Sequence, residues 1–199
     1  MRNQASASIT LCLVRHGETD WNLAGRQQGR ADIALNETGR NQARMVGSYL
    51  SEQTWNAIVS SPLARASESA RIIADIIGAE SIGFLDDLVE RDHGGASGMT
   101  NAESNARWPD GNVPGLESRD AVTERASRAL QSLGLEYSSQ RLIVVTHGAF
   151  INAILAMISN GEIGSGKTTL DSACLSFVHC REGRWEIDAY NIVAHLTST

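Results

Sequence analysis

Proline and cysteine are scarce in this 199-residue chain, three of each, and it also lacks an excess of basic charge and any long apolar run. Each absence closes off a class of protein. Cys12, Cys174 and Cys180 are odd in number and form no C-x-x-C pair, so neither a disulfide framework nor a thiolate zinc site is expected. They fit a reducing compartment, and a cytoplasmic location is expected. If Cys174 and Cys180 share one strand, a rise of about 3.3 Å per residue separates them far beyond the roughly 7 Å that a disulfide spans between Cα atoms. Lys and Arg total 17 against 23 Asp and Glu, a net charge of -6, which argues against a nucleic-acid or anionic-membrane surface. No apolar stretch approaches the roughly 18 residues needed to cross a bilayer, the longest helical candidate being Ala149 to Ile158. Met1 to Ser8 is polar and lacks the apolar core of a secretion signal.

What is present is an ordinary globular composition, 42% hydrophobic and 20% charged, in a chain long enough to bury a core. The length favours one domain over residues 1–199. Ile9 to Val14, Trp55 to Ser60 and Arg141 to Thr146 read as buried parallel strands, the last having an apolar core on both faces. Between them, Asn36 caps a helix running to about Gln53, and Leu63 to Ile77 places Ala66, Ala70, Ile73, Ala74 and Ile77 at helical spacing before Gly78. A third helix is predicted over Ser118 to Leu133 and a fourth from His147 through Met157, stopped by Asn160-Gly161. Ala173 to Cys180 and Trp185 to Ala194 flank Arg181-Glu182-Gly183-Arg184, read as an edge hairpin with a four-residue connection that also carries His179 and His195. The glycine-rich, aperiodic Arg91 to Gly115 segment reads as a loop over the site. The order of elements predicts an α/β three-layer sandwich, a mostly parallel sheet with an antiparallel edge strand.

Three of the apolar runs end in residues suited to phosphate: Leu11 to Val14 in Arg15-His16-Gly17, Ala57 to Val59 in the approach to Arg65, and Leu142 to Val145 in His147-Gly148. In an open α/β sheet the carboxyl ends of neighbouring strands meet at one crevice, so two arginines and two histidines converge on one ligand. Arginine binds two phosphate oxygens with its planar fork and stays charged at any working pH. A neutral His16 is a nucleophile for phosphorus, and flanking arginine charge disfavours its imidazolium.

Leu13-Val-Arg-His-Gly-Glu-Thr-Asp-Trp-Asn22 resembles the signature of the histidine phosphatase superfamily, the phosphoglycerate-mutase-like fold. The later motifs agree in order: Ser60-Ser-Pro-Leu-Ala-Arg65-Ala resembles the second-arginine motif, Leu88-Val-Glu90 with Gly94 and Gly98 the acid motif, and Val145-Thr-His147-Gly the second-histidine motif. The resemblance implies catalytic roles for His16, Glu90, Arg15, Arg65 and His147, with Glu90 protonating the leaving oxygen. It also implies phosphate contacts from Arg15, Asn22, Gln28, Gly29, Arg65, His147 and Gly148. The expected ligand is a small phosphorylated metabolite and no cofactor or metal is expected, so activity should persist in chelator; a homodimer is left open.

The resemblance implies hydrolysis of phosphomonoesters, with a bisphosphoglycerate-dependent mutase and a phospho-ligand-binding protein of little turnover as alternatives. Mutases carry a longer basic insertion, whereas the stretch from Glu90 to His147 includes Arg107, Arg119, Arg125, Arg128 and Arg141, none adjacent to another basic residue. Where relatives place aromatics around the glycine after the acid, this chain has His93 and Ala96, so the pocket wall is altered and His93 is a candidate contact for a second anionic group. Gly161 to Thr168 satisfies the nucleotide-binding P-loop pattern, but that loop needs a strand before it and a helix after it, and the reverse is predicted here.

Overall fold

The computed structural model describes residues 8–197; the polar segment before Ser8 lies outside the described residues. Six strands form one sheet: β1 (Ser8–Arg15), β2 (Ala57–Ser60), β3 (Ile82–Phe84), β4 (Arg141–Thr146), β5 (Leu175–Arg181) and β6 (Arg184–Ile192), in the order β3-β2-β4-β1-β5-β6. β1, β2, β3 and β4 are mutually parallel, and β5 pairs antiparallel with both β1 and β6. The expected mixed sheet is therefore present, with β6 at the edge and the reversed strand one position inside it.

The interior strands are apolar on both faces because both faces are covered. Successive side chains alternate between faces, so Leu11, Leu13, Leu142 and Val144 enter one core while Cys12, Val14, Ile143 and Val145 enter the other. The first core is closed by α5 (Arg119–Glu136) and α6 (Gly148–Ile158), the second by α2 (Glu37–Leu50) and α3 (Ala64–Ile77), giving the three layers. Asn36 caps α2 through a 2.8 Å bond from the Gly39 N–H, Ser118 caps α5, and Gly78 ends α3 with φ 72°. α3 has no cap from its own N-terminal residue, and Asp32 supplies one from a distance by accepting the Ala64 N–H at 2.7 Å.

Several features depart from the sequence reading. The hairpin turn is two residues, Glu182 and Gly183, not four, and both have positive φ (53° and 78°), the geometry that matches the twist of paired strands. His195 lies past the hairpin in a turn over Ala194–Leu196, buried, with Nε2 3.0 Å from the Ala173 carbonyl. Arg91 to Gly115 is not all loop: it holds α4 (Asn101–Arg107), whose N-terminus is closed by reciprocal bonds between Thr100 and Glu103. β3 carries no sequence signal, since only Ile82–Phe84 pairs and none of the three is buried. A four-residue helix, α1 (Asp20–Leu23), follows β1. Cys174 precedes β5, and all three cysteines are free thiols.

The topology locates the site. The chain leaves β1, builds β2 two places away and β3 beyond it, then returns to insert β4 between β2 and β1. At this reversal the carboxyl ends of β1, β4 and β2 are side by side, with Arg15 opposite Thr146 and Ser60 opposite Val145. The next residues along, His16, His147 and Ser61, emerge together.

Candidate active site

His16 is buried, and its Nδ1 lies 2.7 Å from the Gly17 carbonyl oxygen. A carbonyl only accepts, so the ring hydrogen is on Nδ1 and the lone pair is on Nε2. That lone pair accepts the Nε–H of Arg65 at 3.2 Å. Burial, then the charges of Arg65 and Arg15, hold His16 well below the ordinary histidine pKa, so its ring is neutral near pH 7. The loop that carries it packs against the start of α2: a Cβ on Gly17 would stand 2.3 Å from the Gly39 carbonyl oxygen, which only glycine permits.

Arg65, from the first turn of α3, is fully buried. Nη1 and Nη2 donate to the carbonyls of Ala31 and Gly29, each at 2.8 Å, so together with the His16 contact the guanidinium is fixed in plane and in rotation. Burial pushes its pKa down to about 10, which leaves it charged at neutral pH. Gly29, at φ 51°, therefore engages through its carbonyl. Ser69 ties the two halves together, donating to the Arg65 carbonyl at 2.7 Å and accepting the Gly17 N–H at 3.1 Å. Arg15 donates from Nη1 to the Leu170 carbonyl, and its Nε is buried without a partner among the described residues.

His147 caps α6 from the end of β4, its ring centroid 5.2 Å from that of His16. Burial, then the Arg65 charge, keep it neutral as well. Its Nε2 lies 2.8 Å from Ser61 Oγ, while Nδ1 is buried and unpartnered among the described residues. The Glu90 carboxyl sits at the start of α6, where Oε1 accepts the N–H groups of Arg91 (2.9 Å) and Phe150 (3.2 Å) and Oε2 that of Ala149 (3.2 Å). Arg15 passes the same helix end, its Nε 3.4 Å from the place of a Cβ on Gly148.

Arg125 of α5 supports this acid. It donates to the carbonyls of Asp87 (2.7 Å) and Val89 (2.6 Å), less closely to that of Glu90, and to both Glu117 oxygens (3.0 and 3.2 Å). Burial opposes the Glu117 charge, but the hydrogen bond from Arg125 and that from the Asp92 N–H outweigh it, and the carboxyl lies below its ordinary pKa.

Arg15, His16, Arg65, Glu90 and His147, named from sequence, thus converge. Asn22 lies farther out: its Oδ1 accepts from Thr19 N (3.1 Å) and Oγ1 (3.0 Å), and it lines a cleft with Arg15, Glu18 and Gln42. Gln28 is buried beside Gly29, with Oε1 unpartnered among the described residues. His93 is half-buried against the Gly29 turn, and burial lowers its pKa. Lys167 donates to the Gly161 carbonyl, in a loop with α6 before it and β5 after it, the wrong order for a P-loop. Ser61, Ser69 and Arg125 were missed: Ser61 stood inside a quoted motif, and the other two carry no signal apart from helical position. Among the described residues no group of three or more His, Cys, Asp or Glu is placed to hold a metal ion.

The fold and this cluster define a doubly wound α/β protein with a cationic anion pocket at its switch point. The chain belongs to the histidine phosphatase superfamily, branch 1, whose pattern matches residues 11–193. It is 42% identical over 187 residues to the uncharacterized phosphatase PhoE of Bacillus subtilis (strain 168), covering 94% of this chain and 96% of that protein. It is 35% identical over 201 residues to a metal-independent phosphoserine phosphatase of Arabidopsis thaliana, covering 94% and 83%. Among solved structures, Bacillus stearothermophilus YhfR superposes with a TM-score of 0.87 at 26% identity, over 94% of this chain and 99% of that one. No helix among the described residues is long and apolar enough to cross a membrane.

Proposed function

We propose that this chain is a metal-independent phosphatase that hydrolyses phosphomonoesters of small metabolites through a phosphohistidine on His16, with Glu90 as proton donor. One observation carries the reading: the Nε2 lone pair of a neutral, buried His16 lies against Arg65, with Arg15 alongside. Among the described residues no carboxylate oxygen lies within 4.0 Å of either guanidinium. Cations held in place without an acidic partner suit the three oxygens of a phosphoryl group in transfer.

Nε2 attacks phosphorus, the N–P bond forms as the ester P–O bond breaks, and the departing oxygen takes the proton that Glu90 brings. Water then bonds to phosphorus, its proton passes to the Glu90 carboxylate, and the N–P bond breaks with its electron pair returning to Nε2. Nδ1 keeps its hydrogen on the Gly17 carbonyl throughout. Arg15, Arg65 and His147 hold the phosphoryl oxygens, with the Gly148 N–H and Gln28 beside them; Gly29 contributes through its carbonyl on Arg65, and Asn22 stands at the outer edge. Ser61 is a positioning residue: by donating its O–H to Nε2 of His147 it puts the ring hydrogen on Nδ1, free for a phosphoryl oxygen. The reading takes the chain as one domain, supported by the single sheet, and as cytoplasmic, supported by three free thiols.

The test is steady release of phosphate from an aryl phosphate in the presence of chelator. His16→Ala should lower kcat by about 10⁴-fold or more while the protein stays folded, and a denaturing alkaline quench of the intact protein, which spares the acid-labile N–P bond, should trap label on histidine. Activity retained in His16→Ala, or lost to chelator, sinks the reading. Label arriving at a second position on the substrate, rather than in water, decides for the mutase.

A further inference from the structure

The loop that carries His16 is held from the β5 side as well as from β4. The His16 N–H donates to the Thr146 carbonyl at 3.0 Å, which fixes it on one side. On the other, the β1–β5 register ends at Val14 opposite Leu175, yet the hydrogen bonding continues past it. The Arg15 N–H donates to the Cys174 carbonyl and the Ala173 N–H donates to the His16 carbonyl, each at 3.1 Å. The Leu170 carbonyl accepts from Arg15 Nη1. Leu170 to Cys174 thus grips the backbone of both residues and the side chain of Arg15. Asn191, near the end of β6, ties down the middle of this segment by accepting the Asp171 N–H and donating to Asp171 Oδ2, both at 2.9 Å. The grip passes through an unfavourable backbone. Ala173 has φ 58°, in the left-handed region that a side chain disfavours, and such a residue persists only where its surroundings over-determine it.

His195 supplies what holds Ala173. Its Nε2–H donates to the Ala173 carbonyl at 3.0 Å, so one peptide joins this ring to the His16 carbonyl. A carbonyl only accepts, which places the hydrogen on Nε2 and leaves Nδ1 buried without a partner among the described residues. Burial lowers the His195 pKa, and the ring lies beside Tyr49 of α2, with centroids 5.5 Å apart. Phenylalanine would fill the same space without burying an unpaired acceptor, so packing alone gives histidine no advantage here. The donor does. We infer that His195 is a positioning residue for the nucleophile: through Ala173 it fixes the His16 backbone, and with it the line from Nε2 to phosphorus. The inference rests on the role given above to His16. Reacting atoms must stand about 3–3.5 Å apart and aligned, so a small displacement relayed from outside the site lowers kcat. Arg65, held independently by the Ala31 and Gly29 carbonyls, keeps its hold on phosphate oxygens.

Two substitutions separate positioning from packing, because the two roles rank them in opposite orders. His195→Phe keeps a ring beside Tyr49 and removes the donor, whereas His195→Gln removes the ring and keeps an N–H at a similar reach. With an aryl phosphate, His195→Phe should lower kcat by about tenfold or more at nearly constant KM, and His195→Gln should stay within about threefold of the intact protein. His195→Met, with the length of glutamine and no donor, should behave as His195→Phe does and carries the comparison if that variant fails to fold. The reverse order, equal effects of the donor-keeping and donor-lacking variants, or a loss confined to KM overturns the inference while leaving the phosphatase standing. If no phosphomonoester is turned over by the intact protein, the phosphatase reading fails instead, and calorimetry judges the positioning. Orthovanadate, whose vanadium takes a further ligand from an imidazole nitrogen, must then lose about tenfold in affinity in His195→Phe while inorganic phosphate keeps its own; equal changes overturn it.

Discussion

Arg65 and Arg119 are held in opposite ways. Arg65 is fully buried with donors on His16 and on two carbonyls, whereas Arg119 is exposed and makes no side-chain hydrogen bond among the described residues. The phosphate side is thus finished before a ligand arrives, and preorganised donors stabilise developing charge without reorganising. The surface beside Glu90 is assembled from a glycine-rich segment, one helix start and the Gly161–Thr168 loop. A superfamily that keeps one reaction and varies its substrates needs this division: rigid where the phosphoryl group sits, variable where the rest of the molecule sits.

The sharpest way to break the contrast is Arg65→Lys, which keeps the charge and removes the fork. A lysine has one nitrogen for three acceptors in fixed directions, so kcat/KM should fall by about 10²- to 10³-fold for every phosphomonoester alike. A loss under tenfold would show that charge alone suffices and that the rigidity of this side is incidental.

A second test concerns the support for Glu90, which lies between the two halves. Arg125→Met removes three carbonyl contacts and the partner of Glu117, whose side chain is 13% exposed. Breaking a buried pair on one side typically costs about 3 kcal/mol or more, to be read from denaturant unfolding; an unchanged midpoint would refute the clamp. pH reports on the same pair. Glu117 lies below its ordinary pKa, so its contribution is present above the unfolded value and is lost as pH falls through the folded one. His16 and His147 act in the same direction: unfolded histidines take up protons near pH 6.5 and the folded ones resist until far lower, so stability falls as pH drops below 6.5. Melting temperature should decline steadily on acidification, less steeply in Glu117→Gln.

The same contrast governs what was legible in the sequence. β4, α3 and α5 were found nearly to the residue because runs such as Leu142–Val145 and the Ala66-Ala70-Ile73 spacing carry their burial in their own pattern. Arg15, His16, Arg65, Glu90 and His147 were legible because each ends or follows such a run within a dense motif. Arg91 and Arg119 were not legible as neighbours, since 28 positions separate them and it is the bond from Arg91 Nε to the Glu117 carbonyl, just before α5, that brings them together. α4 escaped although Thr100 and Glu103 have the capping spacing, because few of its residues are buried. The Ser61 contact to His147 could not be read at all, for it joins residues 86 positions apart.

His93 gives the smallest effect and the finest test, because it sits at the seam between the two halves. A Cβ on Gly29 would stand 2.9 Å from the His93 backbone nitrogen and 3.4 Å from its Cβ, so this residue leans on the turn that holds Arg65. It is also close enough to Glu90 for that charge to oppose the burial that lowers its pKa. If the wall at this point belongs to the rigid side, His93→Phe should change all rates together. If it belongs to the variable side, the substitution should shift the relative rates of anionic and apolar aryl phosphates by a few-fold, about 1 kcal/mol or less, in favour of the apolar ones. The second outcome is expected, since phenylalanine keeps the Cβ contact with Gly29 and removes only the polar ring atoms, which lie within reach of the Glu90 charge. Relative rates unchanged across a substrate panel would remove His93 from specificity and return it to packing.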